Sequence, residues 1–425
     1  MRESILKAEH ERVATDLCEQ VSRDVADGTI TTRATLAAEV EWLPYGVTES
    51  SSTSGDDVTE IVATYGLVES EYAAIRKGAA LLDRNHRATI TLKGSERIAF
   101  LERMLTQKLS DMQPGDVRQS FWLNRQGRIS ADMLVVQASP EMTLLDLDHA
   151  QAAATAASLE SFLFAEDVTI VYDDSDGDGG NDAWGRLALH GPLSLQCVAS
   201  AVATPPASPL LLADRASTTV EIAGSTVQVA RIDQAGEVGL ELFMPRSALA
   251  AVWNALRSSA AVDGTRVRPI GWYAWNIARI EAGTPLFNID FGTTNLPHEA
   301  GPSVLASRVS FTKGCYLGQE IVARMHNLGR PKQTLIGLRM GDDADPALPV
   351  AGAQVFAADE NQAGTPIGTV TSSTLSPMLG AAAVGFAMVR TKHATEGSQL
   401  IVHADGKAVT ATVSPMVFWT RSMHS

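Results

Sequence analysis

The stretch SFTKGCYLGQEIVARMHNLGR, residues 310–330, holds the side chains most able to do chemistry. Lys313 and Gly314 precede Cys315, and the GQEIVAR that follows can begin a helix. A nearby ammonium group and the free backbone N–H groups of a helix start both stabilise a thiolate, so this setting favours a reactive cysteine. His326 is a candidate base for it, although sequence separation gives no distance in space. The alternative is a buried structural cysteine, since free cysteines are usually inert parts of a core.

Two carboxylates stand out among apolar residues. Glu241, in GLELFMP, lies between Leu240 and Leu242, and because side chains alternate along a strand it faces away from both. A carboxylate buried alone on its face needs a partner with several donors, such as Arg279 or the amidine edge of a pterin or guanine-like ring. Asp132, in GRISADMLVV, stands at the start of an apolar strand. It either caps the turn or points into a site, and the turn is the simpler interpretation.

The acidic stretch DDSDGDGGND, residues 173–182, raises the question of a calcium site, because D-x-D-x-D-G opens an EF-hand loop. Counting from Asp174, the twelfth position is Gly185, where that loop requires a bidentate glutamate. We therefore predict a solvated turn here. The spacing of the three cysteines fits no zinc site, so we expect no bound metal.

Composition limits the classes of protein to which the chain can belong. Its 425 residues, 45% hydrophobic and 20% charged, are typical of a folded protein with two or three compact units. The formal net charge of -15 opposes broad binding to nucleic acid. An odd number of widely spaced cysteines argues against a disulfide framework and suits a reducing compartment. The amino terminus lacks the apolar run of a secretory signal, and no apolar segment is long enough to span a membrane. A cytoplasmic protein is expected.

The elements that must position these residues form an α+β pattern with adjacent strands and no regular βαβ alternation. The sequence of residues 1–62 predicts a polar helix followed by a linker-like loop. Deleting residues 1–60 is therefore expected to leave the thermal stability almost unchanged. Residues 63–332 mix amphipathic helices with strands and divide near residues 175–185. Residues 333–425 contain six short strands separated by turns, which predicts a small barrel or sandwich domain.

From about residue 68 to the end, successive segments resemble landmarks of the aminomethyltransferase superfamily, that of the glycine-cleavage T-protein. The matching segments are EYAAIRKGAALLDRNHRATITLKGSERIAFLERMLT, LNRQGRISADMLVV, GEVGLELFMP, ARIEAG, NLPHEAG and GTVTSSTLSPMLG. Within this set, KGCYLGQE is similar to the signature of the YgfZ-like branch, folate-binding proteins associated with iron–sulfur cluster assembly and repair. The resemblance implies a three-domain ring of antiparallel, ferredoxin-like subdomains, a central tetrahydrofolate pocket and a carboxy-terminal β-barrel.

The resemblance also implies roles for single residues. Glu241 matches the T-protein glutamate that grips the pterin, and Arg279 lies in the segment of the helix that supplies an arginine near the folate. Asp132 matches one of a pair of aspartates that assist one-carbon transfer at the folate, which makes it both a catalytic and a cofactor-binding candidate. The neighbouring position is Ala131, so only half of that pair is present.

The T-protein lacks the KGCY cysteine, so its presence here favours the YgfZ-like branch, in which function is thought to depend on it. Cys315 is then the functional residue and Lys313 its charge partner. Three actions remain open for it, namely thiolate nucleophile, redox-sensitive contact, and transient cluster ligand with further ligands supplied in trans. The expected supporting residues are Gly314, Tyr316, Gly318, Gln319, Glu320 and Arg324, with the two glycines allowing close approach of the backbone.

Three functions are consistent with these residues. The first is a tetrahydrofolate-binding accessory protein that supports iron–sulfur cluster assembly or repair through a cysteine-dependent one-carbon or thiol step, with client or assembly proteins as partners. The second is a folate-dependent aminomethyl- or methyltransferase, which Asp132 favours and Ala131 disfavours. The third is an interaction module that has lost its ligand, in which Glu241 and Arg279 pair with each other.

Overall fold

The structure of the protein is a computed structural model. It describes residues 1–26, 39–46, 58–173, 183–203, 211–341, 347–358, 364–404 and 406–423. Of the turn predicted over residues 173–182, residues 174–182 lie outside this part of the chain. Within the described residues, no helix is both long enough and apolar enough to cross a lipid bilayer.

The chain folds into two compact units, each built from segments that are far apart in sequence. The first unit comprises Met1–Ile90, Val171–Asp233 and Glu237–Asn276. The second unit comprises Thr91–Ile170, Gln234–Gly236 and Ile277–Ser425.

Helices and strands alternate irregularly along the chain, as an α+β protein requires. The α-helices are α1 (Lys7–Ala26), α2 (Val68–Lys77), α3 (Arg97–Met104), α4 (His149–Glu160), α5 (Ser194–Ala201), α6 (Leu249–Ser258), α7 (Trp272–Glu281), α8 (Pro302–Arg308) and α9 (Gln319–Leu328). The strands are β1 (Glu41–Tyr45), β2 (Thr59–Thr64), β3 (Ala80–Asp83), β4 (Arg87–Lys93), β5 (Val117–Leu123), β6 (Ile129–Ser139), β7 (Met142–Asp148), β8 (Thr169–Val171), β9 (Trp184–His190), β10 (Ser217–Ile222), β11 (Ser225–Arg231), β12 (Gly239–Pro245), β13 (Arg268–Pro269), β14 (Gln333–Met340), β15 (Gln354–Ala357), β16 (Gly368–Ser376), β17 (Ala382–Arg390), β18 (Gln399–Ala404) and β19 (Lys407–Ser414).

The first unit is built on a six-stranded sheet with the order β10-β11-β12-β9-β3-β13. The pairs from β10 to β3 are antiparallel, and β13 adds to β3 in parallel. Helices α5 and α6 pack on one face of this sheet. Every third or fourth residue of α6 is apolar, which places its apolar side chains on one side of the helix. That stripe is buried in the core, as its spacing predicts, and consists of Leu249, Val252, Trp253 and Leu256.

The amino-terminal helix α1 is part of the first unit and not a loose appendage. Leu6, Val13 and Ala14 are buried in the same core as the central sheet. The fully buried imidazole of His10 bonds to Asp83 Oδ2 at 3.0 Å and to the Tyr65 hydroxyl at 2.6 Å. The packing of these residues contradicts an unpacked appendage, so the expectation that residues 1–60 can be removed without loss of stability is replaced by the prediction given below.

The second unit contains a five-stranded sheet with the order β5-β6-β7-β4-β8 and a closed barrel with the order β14-β17-β16-β15-β18-β19. The six predicted carboxy-terminal strands are confirmed, and they form a closed barrel and not a sandwich. Apolar side chains alternate along its strands and fill its interior, as in other small barrels. The chain between α7 and β14 contains short helices joined by loops, and these carry the cysteine motif.

We expect deletion of residues 1–26 to lower the melting temperature, because each fully buried aliphatic side chain contributes about 1.5–3 kcal/mol. Leu6→Ala alone should reduce the free energy of unfolding by about 2–5 kcal/mol, because it leaves a cavity in the core. Glu11→Ala, at an exposed position of α1, is the matched control and should change it by less than about 0.5 kcal/mol. Equal urea midpoints for wild type and Leu6→Ala would contradict the docking of α1.

Candidate functional site

The sheet of the first unit has two different faces. On one face the side chains of β9 and β12 are leucines of the hydrophobic core. On the other lie Arg186 and His190 from β9 and Glu241 from β12, because every second residue of a strand points to the same side. Glu241 pairs across the strands with Ala188. His190 pairs with Gly239, so small neighbours stand opposite both polar side chains.

Glu241 is held by two arginines of the first unit. Its Oε2 accepts a hydrogen bond from Arg186 Nη2 at 2.8 Å, and its Oε1 lies 3.4 Å from Arg84 Nη2. The side chains of all three residues are at most 4% exposed. A carboxylate removed from water to this extent is stable only when it is paired. Oε1 nevertheless accepts no hydrogen bond from the described residues, so one acceptor remains available to a ligand.

Arg279, the partner considered for Glu241, is engaged within the second unit. Its Nη1 donates to Asp290 Oδ2 at 2.5 Å, and its Nη2 donates to the Ser372 hydroxyl at 2.6 Å. The hydroxyls of Thr371 and Ser372 donate to the other oxygen of Asp290. Because Arg279 is only 1% exposed, this network fixes the end of α7 against strand β16 of the barrel. The role of Arg279 in cofactor binding stays a prediction.

Asp132 lies on β6 and forms an ion pair with Arg308. Its Oδ1 accepts from Arg308 Nε at 2.7 Å, and both side chains are about nine-tenths buried. The guanidinium of Arg308 also lies 5.7 Å from the ring centroid of Phe121. The preceding turn is capped instead by Asn124, whose Oδ1 accepts from two backbone N–H groups. The interpretation of Asp132 as a turn cap is therefore wrong.

Cys315 lies in the loop between α8 and α9, and it is exposed. The alternative of a buried structural cysteine is wrong for this residue, whereas Cys197 on α5 is a buried cysteine of that kind. Burial raises the pKa of the Cys197 thiol to about 11. Among the described cysteines, Cys18 is partly buried and Cys197 is buried. Cys315 is therefore the one open to chemistry.

Lys313 is not placed as the charge partner of that thiol. An ammonium group has three donors. All three are used by backbone carbonyl oxygens, those of Glu102 at 2.5 Å, Leu105 at 2.6 Å and Gln107 at 3.0 Å. The first two lie at the carboxy-terminal end of α3, where helical carbonyls lack partners and a cation is favourable. Burial lowers the pKa of Lys313 to about 8, and the Glu102 carboxylate opposes this shift.

The glycines of the motif differ in what they do. Gly318 has φ +81° and precedes α9, and a Cβ there would lie 2.8 Å from the Asn124 carbonyl oxygen. It therefore makes the close backbone approach expected of it. A Cβ on Gly314 would meet nothing within 4 Å, so the same expectation is wrong for Gly314.

The other residues of the motif surround the loop with mixed exposure. Tyr316 is buried in a hydrophobic cluster, and burial raises the pKa of its phenol to about 12. Gln319 and Glu320 form the first turn of α9, and Arg324 is exposed on its second turn. His326, the candidate base, stacks on the ring of Phe311, with the two ring centroids 3.8 Å apart.

Sequence reasoning missed four residues around Glu241, namely Arg84, Arg186, His190 and Trp275. Trp275 lies on α7, with its ring centroid 4.9 Å from the Arg84 guanidinium and 6.1 Å from the His190 ring. The strand GRLALH did contain a signal, because Arg186 and His190 alternate with leucines of the opposite face. Whether those residues lie near Glu241 depends on the order of the strands in the sheet. Alternation within one strand does not reveal that order.

Lys313→Met should destabilise the second unit by about 3 kcal/mol, because it leaves buried carbonyl oxygens without a donor. Lys332→Met, at an exposed position, is the matched control and should change the free energy of unfolding by less than about 0.5 kcal/mol. Urea unfolding of both variants checks this. An unchanged midpoint for Lys313→Met would mean that the ammonium does not hold the loop on α3.

Two family models match this chain. The GCVT N-terminal domain matches residues 59–313, and the glycine cleavage T-protein C-terminal barrel domain matches residues 333–419. Both models begin after α1 and β1, so the docked amino-terminal segment lies outside them.

Similar proteins are named aminomethyltransferases. The chain is 27% identical over 365 residues to an aminomethyltransferase of Geobacillus kaustophilus, covering 85% of this chain and 93% of that protein. It is 28% identical over 366 residues to an aminomethyltransferase of Exiguobacterium sibiricum, covering 85% and 92%. The crystal structure of the glycine cleavage system aminomethyltransferase T from Bartonella henselae superposes with a TM-score of 0.71 at 23% identity, covering 85% of this chain and 92% of that one. That likeness shows a shared fold.

Proposed function

Since this chain belongs to the family of the glycine cleavage T-protein, we propose that it binds tetrahydrofolate and transfers a one-carbon group, as an aminomethyl- or methyltransferase. The relatives named aminomethyltransferase support this function over the accessory role that the cysteine motif favours. Tetrahydrofolate would supply the nitrogen atoms that carry the one-carbon unit.

The observation that carries the proposal is the state of Glu241. Its carboxylate is buried and ion-paired, yet Oε1 keeps an unused acceptor position. A buried acceptor without a donor costs free energy, and an N–H group of a bound ring would remove that cost. The reduced pterin of tetrahydrofolate carries such N–H groups on its amidine edge. Glu241 therefore binds and orients the pterin, and the two arginines hold its carboxylate in place.

Asp132 acts in the second unit, as an oriented acceptor for a proton during one-carbon transfer. Its ion pair with Arg308 fixes the carboxylate, which is what a residue that handles a proton at a defined atom requires. Since Ala131 occupies the neighbouring position, a single acid performs this task here.

The exposure of Cys315 favours a second candidate function. In this function the protein binds folate without glycine-cleavage turnover and supports iron–sulfur cluster assembly or repair in client proteins, as in the YgfZ-like branch. An exposed thiol next to a helix start is accessible to another protein, whereas a core cysteine is not. One cysteine cannot hold a cluster alone, so a client or assembly protein would supply the other ligands.

Folate binding is tested by calorimetric titration with tetrahydrofolate under anaerobic conditions. Glu241→Gln removes a charged acceptor, so binding should weaken by about 1–3 kcal/mol, which raises Kd about 5- to 150-fold. Glu221→Gln, at an exposed position of β10, is the matched control. Because the variant also leaves two arginines without their carboxylate, its unfolding is measured in parallel. A folded Glu241→Gln variant with wild-type affinity would remove Glu241 from the site.

The two functions are separated by measuring one-carbon transfer to tetrahydrofolate alongside the activity of iron–sulfur enzymes in cells. A transferase should lose at least about 100-fold in turnover with Asp132→Asn and keep its turnover with Cys315→Ser. The accessory function predicts that Cys315→Ser abolishes the cellular activity and leaves folding and folate affinity intact. Cys18→Ser controls for loss of a thiol. A wild-type protein that binds folate without turnover would contradict the transferase.

A further inference from the structure

His190 is a fully buried histidine with neither ring nitrogen hydrogen-bonded to the described residues. Burial, and secondarily the charge of Arg84, lower the pKa of this imidazole to about 3, so it is neutral at physiological pH. A neutral imidazole carries one N–H donor and one acceptor nitrogen. Both are therefore unused inside the first unit.

Trp275 adds a second unused donor beside it. The indole is fully buried, its ring centroid lies 6.1 Å from that of His190, and its Nε1 has no acceptor among the described residues. Arg84 links the Trp275 ring to the acid, because its guanidinium lies 4.9 Å from that ring and its Nη2 lies 3.4 Å from Glu241 Oε1, and its charge also acts on the His190 imidazole. Three buried side chains around one arginine thus present unfilled hydrogen-bonding positions.

The backbone of β12 makes room for the imidazole of His190. Gly239 stands opposite His190 across the strands, and a Cβ there would lie 3.2 Å from His190 Nδ1 and 2.3 Å from the Ile232 carbonyl oxygen. The imidazole therefore occupies the space over β12 that the side chain of any residue other than glycine at position 239 would need. Buried polar groups in native proteins are nearly always hydrogen-bonded, so several unfilled positions in one place indicate an absent bonding partner.

We propose that His190 and Trp275 act with Glu241 as the hydrogen-bonding wall that recognises the edge of the reduced pterin ring. The wall offers an acceptor on Glu241, a donor and an acceptor on His190, and a donor on Trp275. A pterin carries the complementary set, because its ring N–H and amino groups donate while its carbonyl and ring nitrogens accept. This inference rests on the proposed binding of tetrahydrofolate and assigns two further residues that contact the ring.

The test measures the affinities of tetrahydrofolate and of 6-methyltetrahydropterin, which is the ring without the tail, by anaerobic calorimetry. His190→Phe removes both nitrogens and should weaken the binding of both compounds by at least about 10-fold. His190→Gln keeps a donor and an acceptor and should stay within about threefold of wild type. Trp275→Phe removes the indole N–H and should cost about 5- to 10-fold.

The matched control is Trp253→Phe. Trp253 is also fully buried with an unbonded Nε1, but it lies in the apolar core of the same unit. Its variant should bind both compounds as wild type does. Equal losses for Trp253→Phe and Trp275→Phe would show a general effect of core packing and overturn the assignment.

The remaining outcomes distinguish a failure of this inference from a failure of the proposed function. One outcome is that wild type binds both compounds and folded His190→Phe binds them with affinities within about twofold of wild type. In that case ordered water fills these positions, and the inference fails while folate binding stands. If His190→Phe does not fold, His190→Gln and Trp275→Phe decide, and wild-type affinity in Trp275→Phe overturns the wall. If wild type binds neither compound, the proposed function fails and the wall fails with it.

Discussion

The buried carboxylate of Glu241 sets the constraint that organises the first unit. Removing a carboxylate from water costs several kcal/mol unless cations and donors replace the solvent. Here the cations come from separate parts of the chain, Arg84 just after β3 and Arg186 on β9. Both reach Glu241 only because the sheet places β12, β9 and β3 side by side. The strand order therefore permits this charge to be buried, and an apolar face on the other side of the same strands supplies the hydrophobic stabilisation of the unit.

Buried cations play a comparable part in the second unit, where they stabilise irregular chain. Between α7 and β14 the backbone lacks long regular elements, so its polar groups need side-chain partners. Arg279 joins α7 to the barrel strand β16 through Asp290 and Ser372. Lys313 joins the cysteine loop to the end of α3 through three carbonyl oxygens. Removing one partner from such a contact leaves an uncompensated buried group, which costs more than the contact itself contributes.

Local patterns in the sequence identified what depends on neighbours along the chain. Alternation placed Glu241 on its own face, and helical spacing identified the buried side of α6, because both follow from backbone geometry. The partners of Glu241 were missed, since they depend on strand order. The role of Lys313 was misjudged for a related reason. Its acceptors are backbone carbonyl oxygens, which every residue carries and no motif reveals. Helix α1 resembled an appendage because only a few apolar residues and His10 mark its buried side.

The residue that both candidate functions use and the residues that distinguish them lie in different compact units. The polar face around Glu241 belongs to the first unit, whereas Asp132 and Cys315 belong to the second. The proposed binding of a pterin at Glu241 is common to the transferase and to the accessory protein. The two functions differ in the group that acts. In the transferase it is the Asp132 carboxylate on β6, which acts on the one-carbon unit, and in the accessory protein it is the exposed Cys315 thiol before α9, which acts on the client. Since Lys313 is committed to α3, the thiol does not have the charge partner that its motif suggests. Any activation of Cys315 must come from other groups of the loop, from the start of α9, or from the molecule that it meets.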